Sequence, residues 1–143
     1  MHVTLVSKKL SEEVMGAMAD KKKILFVDDT DSYLFLLDEI LSGEYETLSS
    51  LDGEDGLEMA KLAKPDLIFL DLFMPGMSGY EVLSALKADD ELKHIPVILM
   101  SAEEQVESEI QGDTLGSAGY LQKPFGPDMV LEKVNVILKG KTS

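Results

Sequence analysis

Three runs of four apolar residues, Ile24–Val27, Leu67–Leu70 and Val97–Met100, are interrupted by no polar residue. A strand with one solvated face alternates apolar and polar positions, whereas a continuous apolar strand has no side to show to water. Strands buried on both faces belong to parallel sheets whose crossover helices pack above and below. The intervening stretches agree. Tyr33–Leu41, Gly53–Ala63 and Tyr80–Ala88 carry helical spacing, another helical stretch starts near Glu103, and Asp128–Leu138 closes the series. Tyr45–Leu48 and Tyr120-Leu121 are weaker strand candidates, and Pro65, Pro96 and Pro124 punctuate the pattern. Five strands alternating with five helices predict an α/β domain, a doubly wound five-stranded parallel sheet.

Length and charge narrow the function. A chain of 143 residues fits one domain. No apolar run approaches the roughly 20 residues that cross a bilayer, and Met1–Leu10 lacks a secretory pattern. A cytoplasmic location without membrane contact is expected. The absence of cysteine removes disulfides, thiolate metal sites and thiol nucleophiles. Net charge is −14, and the first 23 residues are locally +2, so the remaining 120 carry −16. Such a surface repels phosphate backbones, which argues against nucleic-acid binding.

Residues 1–21 read as an N-terminal extension, either disordered or a short helix with Ser11 as N-cap and a stripe of Leu10, Val14 and Met18. Residues 22–140 form the expected domain and 141–143 a tail. The eight methionines read as core fillers and His94 as a surface residue.

In open α/β sheets, ligands bind beyond the carboxyl ends of the strands. Asp28 and Asp29 follow the first strand, and Asp71 follows the third. Ser101-Ala102 follows the fourth, and Lys123-Pro124 the fifth. Taken singly, Asp28-Asp29 is ordinary turn chemistry, and Ser101 can cap the helix that begins with Glu103-Glu104. Together they bring three carboxylates, a hydroxyl and an ammonium group to one edge. Crowded carboxylates repel one another unless a cation binds. An all-oxygen ligand set favours a hard ion such as Mg²⁺. A metal there would also offset an incoming phosphoryl group, letting Asp71 act as nucleophile. Lys123 and Ser101 would then pair with phosphoryl oxygens.

The runs Ile24-Leu25-Phe26-Val27-Asp28-Asp29 and Leu67-Ile68-Phe69-Leu70-Asp71-Leu72-Phe73-Met74-Pro75-Gly76-Met77-Ser78-Gly79 resemble signature segments of response-regulator receiver domains. So do the pair Ser101-Ala102 and the run Gly119-Tyr120-Leu121-Gln122-Lys123-Pro124-Phe125. Order and spacing match: 42 residues from Asp29 to Asp71, 30 to Ser101 and 22 more to Lys123. The resemblance covers residues 22–140 and implies a flavodoxin-like (βα)5 fold with strand order 2-1-3-4-5. It implies Asp71 as phosphoacceptor and Mg²⁺ held by Asp28, Asp29, Asp71 and the backbone carbonyl of Phe73. Ser101 and Lys123 would bind the phosphoryl group, and Ser101 and Tyr120 would switch with it. The Lys123–Pro124 bond would be cis. The implied donor is a sensor histidine kinase or histidine phosphotransfer protein. The implied output is contact with a target protein through the face of the fourth helix, fifth strand and fifth helix, by a monomer or weak dimer. Such a domain is a switch, an enzyme only in assisting its own phosphorylation and dephosphorylation.

Phe73 is bulky where the family often has a smaller or polar side chain, and Glu103 lies two residues after Ser101; both positions influence acyl-phosphate hydrolysis in this family. Thr30 and Gly112-Asp113-Thr114 depart mildly from its pattern, away from any essential role. Two other readings remain at this stage. Asp29-Thr30-Asp31 resembles the opening of haloacid-dehalogenase-like phosphohydrolases, but Tyr33 breaks that pattern and Asp71 is left unexplained. A phosphate-independent interaction module would have lost Asp71, one of the acidic pair, or Lys123, and none is lost.

Overall fold

The computed structural model describes residues 21–102 and 116–140. Five parallel strands form one sheet: β1 (Lys23–Val27), β2 (Glu46–Ser50), β3 (Leu67–Asp71), β4 (Val97–Ser101) and β5 (Gly119–Gln122). Their spatial order is β2-β1-β3-β4-β5, the order expected. Four helices are described: α1 (Asp31–Leu41), α2 (Gly53–Ala63), α3 (Gly79–Ala88) and α4 (Pro127–Val134). The helical stretch expected near Glu103, residues 1–20 of the expected 1–21 extension and the 141–143 tail lie outside the described residues.

The continuous apolar runs divide their side chains between two cores, as strand geometry requires. Leu25, Val27, Ile68, Leu70, Val97 and Leu99 face Ala60 of α2 and Val82, Leu83 and Leu86 of α3. Ile24, Phe26, Leu67, Phe69, Ile98, Met100 and Leu121 face Leu34, Leu37 and Leu41 of α1 and Val130 and Val134 of α4. The sheet is therefore covered on both sides, which is why its inner strands tolerate no polar position.

Local chemistry sets the helix starts. The Asp52 carboxylate accepts from the Asp55 backbone N–H and caps α2. Ser78 and Glu81 form a reciprocal capping box that begins α3 one residue before the predicted Tyr80. Elsewhere the boundaries differ from the sequence reading. β2 starts at Glu46 because the Tyr45 N–H bonds to the Leu41 carbonyl, leaving Tyr45 in the turn that ends α1. The last helix leaves α geometry at Asn135 and finishes as a wider π turn through Lys139. Met74 and Met100 are core residues, but Met129 is exposed, so methionine is not uniformly a filler here. His94 is exposed as expected.

Candidate functional site

β1 and β3 run side by side, with Val27 beside Leu70. Residues immediately after or at their ends are therefore neighbours. Asp28 is fully buried, Asp71 nearly so, and Asp29 is exposed at the mouth. Carboxylate oxygens of all three lie within 4.8 Å of one another. β4 and β5 close the other side, bringing buried Ser101 and the lysine that follows β5. The Lys123 ammonium lies 2.7 Å from Asp28 Oδ2 and 3.6 Å from Asp71 Oδ2, with its side chain only 9% exposed. The five chemically reactive side chains picked from the sequence thus share one end of the sheet.

Backbone hydrogen bonds hold the arrangement. Thr30 N–H donates to Asp28 Oδ1 at 2.9 Å, and Asp28 N–H donates to the Ser50 carbonyl at 3.1 Å. Phe73 N–H donates to Asp71 Oδ1 at 3.3 Å. The Lys123 N–H donates to the Ser101 carbonyl at 2.8 Å, and the Tyr120 hydroxyl donates to the same carbonyl at 3.1 Å. The Lys123–Pro124 bond is cis. Phe73 is half exposed, its ring edge-on to Tyr80 with centroids 6.0 Å apart.

Burial, reinforced by the Asp28 charge, pushes the Asp71 carboxyl up to about 7; Lys123 and the Phe73 N–H pull it down without cancelling the rise, and hydrogen bonding with Asp29 adds to it. The pocket holds more negative charge than its own lysine balances. Asp28 Oδ2 is buried, and the Lys123 ammonium 2.7 Å away is its counter-charge.

A model of the family described as "Response regulator receiver domain" matches residues 24–135. The chain belongs to that family. It is 32% identical over 119 residues to the protein PilH of Pseudomonas aeruginosa, covering 82% of this chain and 98% of PilH. It is 36% identical over 128 residues to the chemotaxis protein CheY-3 of Vibrio cholerae, covering 87% of this chain and 98% of CheY-3. The response regulator PleD of Caulobacter vibrioides is 38% identical over 120 residues, but this chain spans only 26% of it. The solved structure of Vibrio cholerae CheY4 superposes with a TM-score of 0.75 at 31% identity, covering 82% of this chain and 99% of that one. A receiver domain of this family is a phosphorylation-dependent switch of two-component signalling.

Three participants in the receiver's pocket escaped the sequence reading. Thr30, set aside there, supplies a backbone donor to Asp28. Gly79 packs so tightly beneath β3 that a Cβ would lie 2.1 Å from the Asp71 carbonyl oxygen. Tyr33 covers the Lys123 ammonium, which lies 4.2 Å from its ring centroid. Only Gly79 had a visible signal, as the final residue of the segment beginning at Leu67.

Proposed function

We propose that this receiver accepts a phosphoryl group on Asp71 in a Mg²⁺-dependent reaction and signals through protein contact. The observation that carries the reading is the crowded acid trio. Three carboxylates within 4.8 Å, with one lysine ammonium among them, fit a hard divalent cation. Asp28, Asp29 and Asp71 would hold it, with the Phe73 carbonyl completing the protein ligands. Bound there, Mg²⁺ supplies charge neutralisation at the carboxylates and the phosphoryl oxygens.

An Asp71 carboxylate oxygen attacks the phosphorus of a phosphohistidine, forming an O–P bond as the P–N bond breaks and the imidazole departs. Lys123, poised between Asp28 and Asp71, binds a phosphoryl oxygen, and the Ser101 hydroxyl donates to another. Phosphorylation adds about −1.5 to −2 charge and three acceptor oxygens. Drawing Ser101 and Lys123 toward those oxygens shifts the population between two arrangements, with Tyr120, tied to the Ser101 carbonyl, as the reporting aromatic.

The donor is a sensor histidine kinase or histidine phosphotransfer protein. The target docks on the face that carries β5 and α4, with the receiver a monomer or weak dimer in the cytoplasm. No described helix is long and apolar enough to cross a membrane. The receiver unit spans residues 22–140, and its catalysis is confined to its own phosphorylation and dephosphorylation. The family match gives no support to the haloacid-dehalogenase reading.

Intact mass after incubation with acetyl phosphate tests the chemistry. A gain of one phosphoryl group that needs Mg²⁺ and is absent from Asp71→Asn is expected. No gain by folded wild type in any condition would favour the phosphate-independent module.

A further inference from the structure

We propose that Tyr33 is a positioning residue for Lys123: its ring holds the ammonium at the pocket when the carboxylates no longer can. This rests on the reading of Asp71 as phosphoacceptor. Lysine is a compact charge on a flexible four-carbon stem, and it stays at a site only through what its ammonium meets. Here it meets Asp28 Oδ2 at 2.7 Å, Asp71 Oδ2 at 3.6 Å, and the Tyr33 ring face at 4.2 Å.

The first two contacts depend on charge. A divalent cation on the same carboxylates competes directly for their attraction, so both weaken when the pocket is loaded for reaction. The third does not. The negative face of an aromatic ring attracts an ammonium whatever the state of the carboxylates. It therefore keeps Lys123 beside Asp71 during the interval before a phosphoryl oxygen arrives.

The ring is held in place from two directions. Tyr33 lies in the first turn of α1, where its N–H bonds to the Thr30 carbonyl at 3.1 Å, and Thr30 in turn donates to Asp28. Phe125, nearly buried two residues beyond Lys123, packs its ring 5.3 Å from that of Tyr33 at 45°. The acid-pair loop that builds the pocket thus also aims the ring at the lysine.

The test compares wild type, Tyr33→Leu and Tyr33→Phe. At saturating Mg²⁺, phosphoryl uptake from acetyl phosphate is followed by intact mass, and Mg²⁺ affinity is measured separately by calorimetry. Tyr33→Leu is expected to take up phosphoryl groups roughly 3- to 30-fold more slowly, the range a cation–π contact commands. Its Mg²⁺ affinity should stay within about twofold of wild type, and Tyr33→Phe, which keeps the ring face, should react within about twofold. A Leu variant as fast as wild type overturns the proposal. So does a Phe variant as slow as Leu, which would assign the effect to the hydroxyl. So does a parallel fall in Mg²⁺ affinity, which would mean general distortion of the pocket. Failure of wild type itself to take up phosphate would instead remove the phosphoacceptor reading, and this inference with it.

Discussion

The Lys123 ammonium lies 2.7 Å from Asp28 Oδ2, closer than its 3.6 Å approach to Asp71. In this arrangement the lysine serves first as counter-charge to the most deeply buried acid. The Asp71 carboxyl, itself nearly buried, is left with a raised pKa.

Removal of Lys123 therefore has a structural consequence before a signalling one. Lys123→Ala strands the Asp28 charge, and breaking a buried pair in this way costs about 3 kcal/mol. Urea unfolding without metal should show that loss, and Mg²⁺ should recover part of it. Once phosphorylated, the variant should fail to switch; a fully switchable Lys123→Ala protein would remove the role assigned to this residue.

Asp71 makes the metal-free protein less stable as pH rises. Its folded-state pKa of about 7 lies above the ordinary carboxylate value of 3.8. The sign follows: its stabilising contribution is complete below about pH 4 and is lost as pH rises through about 7. Taken whole, such a shift would correspond to about 4 kcal/mol, and about 2 kcal/mol is expected. Asp71→Asn should be more stable than wild type at pH 7.5 by that amount, and the difference should vanish by pH 4. Equal pH profiles of the two proteins in urea unfolding would contradict the assignment.

Gly79 packs the start of α3 against the end of β3. A Cβ at this position would lie 2.1 Å from the Asp71 carbonyl oxygen and 2.6 Å from the Leu72 Cα, both rigid backbone. Gly79→Ala should cost about 2 kcal/mol or more. Because the displaced atoms belong to Asp71 itself, uptake of phosphate should slow as well, even where the variant remains fully folded by circular dichroism.

Phe73 is half exposed, bonded through its N–H to Asp71 and backed by Tyr80. We expect its bulk to hinder water and lengthen the life of the acyl phosphate. Phe73→Asn should lose phosphate faster by about fivefold, equivalent to roughly 1 kcal/mol of barrier. A variant that decays no faster than wild type would remove this idea.

Much of the pocket was legible in the chain because a strand end is a local feature. Ile24–Val27, Leu67–Leu70 and Val97–Met100 announce buried parallel strands, and whatever polar residue follows each must emerge at the same sheet edge. That reasoning found Asp28, Asp29, Asp71, Ser101 and Lys123 without any tertiary coordinate. It found β2 but set it one residue early at its start and two short at its end, because the edge strand Glu-Thr-Leu-Ser-Ser mixes polar and apolar residues and carries a weak pattern.

What the sequence by itself determined is the sheet, its strand order through the family resemblance, and the set of groups that share its carboxyl edge. Only the tertiary structure decided which of those groups touch. Tyr33 stands 90 residues before the lysine it covers, and Gly79 contacts Asp71 through backbone atoms. Neither relation has a period or spacing to betray it. Both depend on how closely a helix approaches the sheet, a distance set by the packing of two cores.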